Sequence, residues 1–303
     1  MTPSTAIPLW DSVKKLYSDF DIDTFRAIGG VNDRLGIWSA FDKSSRYYKA
    51  LMFEFAMYLE NLMIQSKKTD ELLTLLQKIP NQNIGSPPTI KLGAGFNVSL
   101  DYLLAVEEYI FVSDILLNID HVCEIGAGFG RTCHTFMALS NIAQYTIIDL
   151  PEVLALSKAY LSRVLSKEDY LKIRFVSSEN YSSVNNVGLV INIDSLQEMP
   201  LQVGQVYLDF ASKNATSFFS KNAMGKYSPL DIDLEIKNVN EFSSAIKMGL
   251  MSDVVPLFDV AARIEAVKTY HKIFCPNGFD LKKTQRGFGQ YLSYELSLFC
   301  RRG

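Results

Sequence analysis

The chain has 303 residues, 48% of them hydrophobic and 21% charged, with 30 Lys and Arg against 33 Asp and Glu for a net charge of −3. That length buries a substantial core in one large or two modest domains, and the composition excludes extensive disorder. With no basic excess, no nucleic-acid partner is expected; Lys282-Lys283 and Arg301-Arg302 read as solvated surface.

Cys123, Cys133, Cys275 and Cys300 form no CxxC pair, so neither a disulfide framework nor a structural zinc site is expected. Cys123 and Cys133 fall where small buried hydrophobes are wanted. The N-terminus lacks a basic start followed by an apolar segment, and no run of about 18 uncharged apolar residues exists. A soluble cytoplasmic protein without a membrane partner is the expectation.

In chain order, residues 45–64 predict a helix. Its polar positions Arg46, Lys49, Glu54, Glu60 and Asn61 fall within roughly a 140° arc at 100° per residue. So narrow a polar stripe predicts burial on most of the circumference, against other helices or a second subunit. Residues 67–79 predict a further helix capped by Thr69 or Asp70. The Pro- and Gly-rich stretch 80–98 reads as a loop and as the best domain boundary, and its "GAGF" at 93–96 reads as loop. The resulting division is a helical region at 1–80, a linker at 81–100 and a main domain at 101–303.

From residue 101 the rhythm changes. A helix at 101–118 leads to the apolar run 121–125, three glycines and a helix to about Leu139. Runs at 145–149, 172–177, 188–194 and 215–221 follow, separated by helical stretches, one of which opens with Pro151 in a favoured first-turn position. Five alternations predict an α/β fold with a doubly wound, mostly parallel sheet and right-handed crossovers. The tail, flanking Gly287 and Gly289, predicts an antiparallel hairpin that completes seven strands.

The glycines lie in "HVCEIGAGFGRTCHTF", at Gly126, Gly128 and Gly130. A dinucleotide loop wants its third glycine three residues after Gly128, where Arg131 stands. A phosphate-binding loop needs Gly-Lys-Ser/Thr, which is missing. What remains is E-x-G-x-G-x-G, from Glu124 to Gly130. This pattern resembles the class I S-adenosylmethionine-dependent methyltransferases, Rossmann-like enzymes in which the loop wraps the methionine and ribose of the cofactor. Glu124 suits the cofactor's ammonium group, and Asp149, ending the second strand in "YTIIDLP", suits the ribose diol. A carboxylate there serves NAD equally well, so Asp149 alone does not discriminate. The resemblance implies further cofactor contacts from Leu150, from Ser178 or Glu179 after the third strand, and from Asn192 after the fourth.

"INIDSLQEMP", ending the fourth strand, resembles a family of bacterial sugar O-methyltransferases in which a strand ending in Asn leads to Ser-Leu-x-Glu-Met. "EIGAGFGR" and "IIDLPEVL" fit that family too, and the likeness runs over roughly residues 80–220. It implies methylation of a sugar or small polyhydroxylated metabolite by in-line displacement. Such a reaction needs alignment and removal of a hydroxyl proton. Glu198 and Asp194 are the candidate bases, Glu198 preferred; Asp194 can instead hold substrate hydroxyls or a divalent metal. A metal wants converging carboxylates, and no tight cluster is evident, so no metal site is assigned. His121, His134 and His271 read as structural, and the aromatics of 207–227, Tyr227 among them, read mostly as core. N-methylation of a small amine, or a non-catalytic assembly role, are the alternatives. The 45–64 helix points to a lid, a homodimer interface, or both.

Overall fold

The fold follows from short apolar runs that are buried on both faces, as strands of a parallel sheet must be. In the computed structural model, which describes residues 21–27, 46–65, 71–226, 246–256, 258–288 and 294–303, these runs become β3 (His121–Ile125), β4 (Gln144–Asp149), β5 (Ile173–Ser177), β6 (Val187–Ile193) and β7 (Ala215–Ala223). They pair in parallel, and the hairpin β8 (Phe279–Arg286) and β9 (Tyr294–Arg301) closes the edge, with β9 antiparallel to both neighbours. The order is β5-β4-β3-β6-β7-β9-β8, so the expected α/β, doubly wound seven-stranded sheet is present. Strand order reverses between β3 and β6. In such sheets ligands bind at this switch point, outside the carboxyl ends of the strands.

Side chains alternate between two cores. Val122, Ile147, Leu189, Ile191 and Phe219 face α4 (Leu100–Leu116), α5 (Arg131–Leu139) and α6 (Pro151–Val164). Cys123, Ile125, Ile148, Val190 and Phe218 face α8 (Leu201–Asn214) and α9 (Val260–Ile273). Cys123 and Cys133 are both fully buried. Local signals set the helix starts: Pro151 opens α6, and the Asp259 side chain accepts from the Ala262 amide at 2.9 Å to cap α9.

The N-terminal part packs on α4. Here α2 (Arg46–Gln65), α3 (Leu72–Gln77) and the hairpin β1 (Thr89–Lys91)–β2 (Asn97–Ser99) share one apolar cluster with it. Three expectations change. Residues 80–98 are not all loop, because the GAGF stretch forms the turn of this hairpin, Leu92 bonding to Phe96. The start of α3 has Glu71 at the N-cap, without a side-chain capping bond, while Thr69 and Asp70 lie outside the described residues. And α2 buries only the face of Tyr48, Met52, Phe55, Ala56, Leu59 and Met63. Tyr47, Met57 and Ile64, expected to be covered by other helices or a second subunit, are exposed in the single chain at 75%, 63% and 72%. A helix lying on one surface covers one stripe, and apolar residues beyond that stripe stay outside whatever their hydropathy. Tyr227 and Gly289 also lie outside the described residues.

Candidate functional site at the carboxyl ends of β3, β4 and β6

The glycine loop leaves β3 with all three glycines at positive φ: 75° at Gly126, 59° at Gly128 and 97° at Gly130. The outer two are packed. A β-carbon on Gly126 would collide with the Ser195 side chain, and one on Gly130 would lie 2.9 Å from Leu161 of α6. Gly128 differs, with no atom within 4 Å of where its β-carbon would stand. Its constraint is left-handed backbone, which glycine adopts without penalty, and the space before it is open to a ligand.

Asp149 ends β4 beside this opening. One carboxylate oxygen accepts from the Gly128 amide at 3.1 Å and the other from the Leu150 amide at 2.8 Å. Loss of water raises its pKa to about 7, against the pull of those backbone bonds. Leu150 itself is partly exposed next to it. Glu124 is 2% exposed and accepts from the Tyr145 hydroxyl at 2.7 Å. Burial raises it too to about 7, the Tyr145 bond working the other way. The arrangement fits an adenosyl sulfonium cofactor: an open glycine for close backbone approach, a two-oxygen carboxylate for a diol, and a second carboxylate behind the loop for a cation. Ser178 is buried in a short 3-10 turn after β5 and Glu179 is exposed. Beyond them Tyr181 packs edge-on against Tyr207 at 5.7 Å.

Asn192, fully buried, spends its amide on protein. It donates to Ile125 O at 3.0 Å and to Ser195 Oγ at 2.5 Å, and accepts from the Leu196 amide and the Asn222 side chain. Ser195 Oγ in turn donates to Ile125 O at 3.0 Å. These bonds pin the 194–199 turn against the start of the glycine loop, so two segments seventy residues apart in sequence share one site. Asn192 therefore stands behind the site rather than in it.

On that turn Asp194 has left-handed backbone, φ 62°, and its amide donates to Lys221 O at 2.9 Å. Strained non-glycine residues of this kind persist where surrounding structure holds them, often at functional sites. Its buried Oδ1 has no hydrogen-bond partner, and desolvation raises its pKa although Lys221 and Arg131 lower it. Glu198 is exposed, yet flanked by enough protein that desolvation, and then Asp194, raise its carboxyl to about 7. Lys226 faces it; burial lowers the ammonium pKa, and Lys226 donates to Gln197 O at 3.0 Å. Gln197 Nε2 donates to the Tyr294 hydroxyl at 2.7 Å, joining the turn to β9.

Beneath the turn lies a cluster the sequence reading did not single out. Arg131 forks onto Glu108 with two bonds of 2.9 Å, and Lys221 lies 2.9 Å from Glu107 and 3.0 Å from Glu108. Burial works to raise Glu108, but Arg131 and Lys221 outweigh it and hold the group ionised. The available signal was Glu107-Glu108 in the middle of an otherwise apolar helix. The histidines are placed as expected: His121 bonds to Thr146 and Asn186 O at the far end of β3, His134 is fully buried, and His271 pairs with Glu295 at 2.9 Å. Among the described residues no group of three or more His, Cys, Asp or Glu side chains converges as a metal site does, and no helix is long and apolar enough to cross a membrane.

No protein-family model matches the chain, and no curated protein does. Solved structures are similar to part of it. The mitomycin 7-O-methyltransferase MmcR is 8% identical, with a TM-score of 0.43 over 62% of this chain and 50% of that one. The match thus spans half of MmcR. The methyltransferase domain of bacterial CtHen1 is 12% identical, with a TM-score of 0.47 over 68% of this chain and 100% of that one. The glycopeptide N-methyltransferase MtfA, in complex with S-adenosyl-L-methionine, is 16% identical, with a TM-score of 0.44 over 66% of this chain and 87% of that one.

Proposed function

We propose that the chain is an S-adenosylmethionine-dependent methyltransferase acting on a hydroxyl of a sugar or another small polyhydroxylated metabolite. The observation that carries this reading is the juxtaposition at one switch point of an open Gly128, the Asp149 carboxylate bonded to its amide, and the Asp194–Glu198 turn pinned against the same loop. Bound S-adenosylmethionine supplies a methyl group on a sulfonium centre, open to in-line displacement. The protein's part is alignment and proton removal. Asp149 receives the ribose hydroxyls, Glu124 favours the ammonium group through the loop, and Leu150 and Ser178 border the adenosine. Asn192 acts by holding Ser195 and the loop together.

On the acceptor side, Asp194 offers an unpartnered oxygen to a substrate hydroxyl, and Glu198 takes the proton as the new carbon–oxygen bond forms. A base with pKa about 7 is matched to work near neutrality. Transfer from a sulfonium would build up no oxyanion, so these residues need supply no oxyanion site. The exposed apolar residues of α2 support self-association as a homodimer.

The test is methyl transfer from labelled S-adenosylmethionine to a panel of monosaccharides, polyols and small amines. A hydroxyl acceptor is expected, and Glu198→Gln should lower its rate by about 10² to 10⁴, the range for general-base catalysis. Near wild-type turnover in that variant removes Glu198 as base and favours an amine acceptor, which needs no strong base.

A further inference from the structure

The helix α1 (Ile22–Ala27) packs against the glycine loop from its protein side, and one buried arginine does most of the joining. Arg26 is 2% exposed. Its Nη1 donates to Gln82 O at 2.7 Å, Ile84 O at 2.5 Å and the Tyr160 hydroxyl at 3.2 Å. The guanidinium lies 5.2 to 5.6 Å from the ring centres of Tyr160, Phe129 and Tyr102, a desolvated cation over three π faces. Asp101, at 3.6 Å, supplies an opposite charge. Phe129 stands between Gly128 and Gly130, and it also packs edge-on against Phe25 and Tyr160. The middle of the cofactor loop is therefore wedged between α1 and α6.

From Arg26 a chain of hydrogen bonds runs on. A guanidinium only donates, so Tyr160 accepts from it, and the Tyr160 hydroxyl makes a short hydrogen bond with the Tyr102 hydroxyl. Tyr102 in turn is hydrogen-bonded to His134 Nδ1 at 2.6 Å. Burial, followed by the Arg26 charge, pushes the His134 pKa down to about 3, so the imidazole in this chain is neutral. His134 closes the circuit on the loop, its amide donating to Gly130 O at 2.9 Å. Four helices (α1, α6, α4 and α5) are thus bonded in series around Phe129 and Gly130.

We infer that Arg26 is a positioning residue for the cofactor: through Phe129 and the Tyr160–Tyr102–His134 chain it holds the glycine loop in its binding geometry, so that docking of α1 and cofactor binding favour each other. The inference rests on the proposed S-adenosylmethionine reading. Coupling between two sites is reciprocal. A cofactor that prefers the ordered loop must therefore steady α1, and loss of the α1 clasp must weaken the cofactor.

The experiment is calorimetric titration of S-adenosylhomocysteine into the full chain and its variants, with hydrogen exchange of residues 22–27 followed in parallel. Arg26→Met should weaken binding about tenfold, within the usual range for coupled sites. Arg26→Lys, which keeps the cation over the rings but not the reach of Nη1 to Gln82, Ile84 and Tyr160, should fall between. In the wild type, S-adenosylhomocysteine should slow exchange across α1, an effect that a clasp serving only stability would not produce. Should Arg26→Met fail to fold, Tyr160→Phe removes one hydroxyl from the chain and should weaken binding about threefold. Affinity within twofold of wild type in a folded variant, or α1 exchange indifferent to the ligand, overturns the inference. Absence of any binding to the wild type is a different result, and overturns the cofactor reading together with it.

Discussion

Two electrostatically coupled groups of charges lie at the carboxyl ends of β6 and β7, and they are balanced differently. In the lower group two carboxylates, Glu107 and Glu108, meet two cations, Arg131 and Lys221, and every ion has a partner at 2.9 to 3.0 Å. In the upper group no ion pair closes on Asp194 or Glu198 among the described residues: Lys221 and Arg131 act on Asp194 and Lys226 on Glu198 from a distance, and both carboxyls are pushed upward. Buried charge is tolerated when it is paired. Where the pairing is complete the charges are part of the framework. Where it is left incomplete, at a strained residue on a solvent-reached turn, the imbalance is available to a ligand.

The lower group is broken most effectively at Lys221. Lys221→Met leaves two buried glutamates against a single arginine, and breaking a buried pair by removing one partner costs about 3–5 kcal/mol. Chemical denaturation measures this directly; a loss below about 1 kcal/mol would mean that the cluster is not the balanced unit described. The upper group and the cofactor side respond to pH instead. Glu124 keeps its proton to a higher pH in the fold, with its pKa near 7 against an ordinary value of 4.5. The folded state thus binds the extra proton between those values, so this group's contribution is fully present below pH 4.5 and is lost as pH rises through 7. At about 1.4 kcal/mol per tenfold, Glu124→Gln should gain about 2–3 kcal/mol relative to wild type between pH 4.5 and pH 8. Equal pH dependence in both proteins would sink the assignment of a raised pKa to Glu124.

Much of the half proposed to hold the cofactor was legible in the sequence, because its parts are local. Glu124, the three glycines and Asp149 stand at fixed offsets from two apolar runs, and the alternation of runs and helices implied the doubly wound sheet. The open Gly128 could not be told from the packed Gly126 and Gly130, since that difference depends on Ser195 and Leu161, distant in the chain. The acceptor half was legible only as a polar strand end. Which of its residues face a ligand depends on bonds across the sheet: Asn192 looked like a contact, but its amide is consumed by Ile125, Ser195, Leu196 and Asn222. Lys221, Gln197 and Tyr294 carry no local signature at all. For α2, periodicity counted apolar residues correctly but did not reveal that its neighbours cover a single stripe.

In the proposed reading, Gly128 and Asp149 hold an adenosyl cofactor. Titration of S-adenosylhomocysteine into the wild-type chain and Asp149→Asn, followed by calorimetry, tests it most directly. Saturable one-site binding is expected, weakened about ten- to a hundredfold in Asp149→Asn, as suits loss of a charged acceptor worth about 1.5–3 kcal/mol. No saturable heat with S-adenosylhomocysteine or S-adenosylmethionine, or saturable binding of NAD in their place, would contradict it.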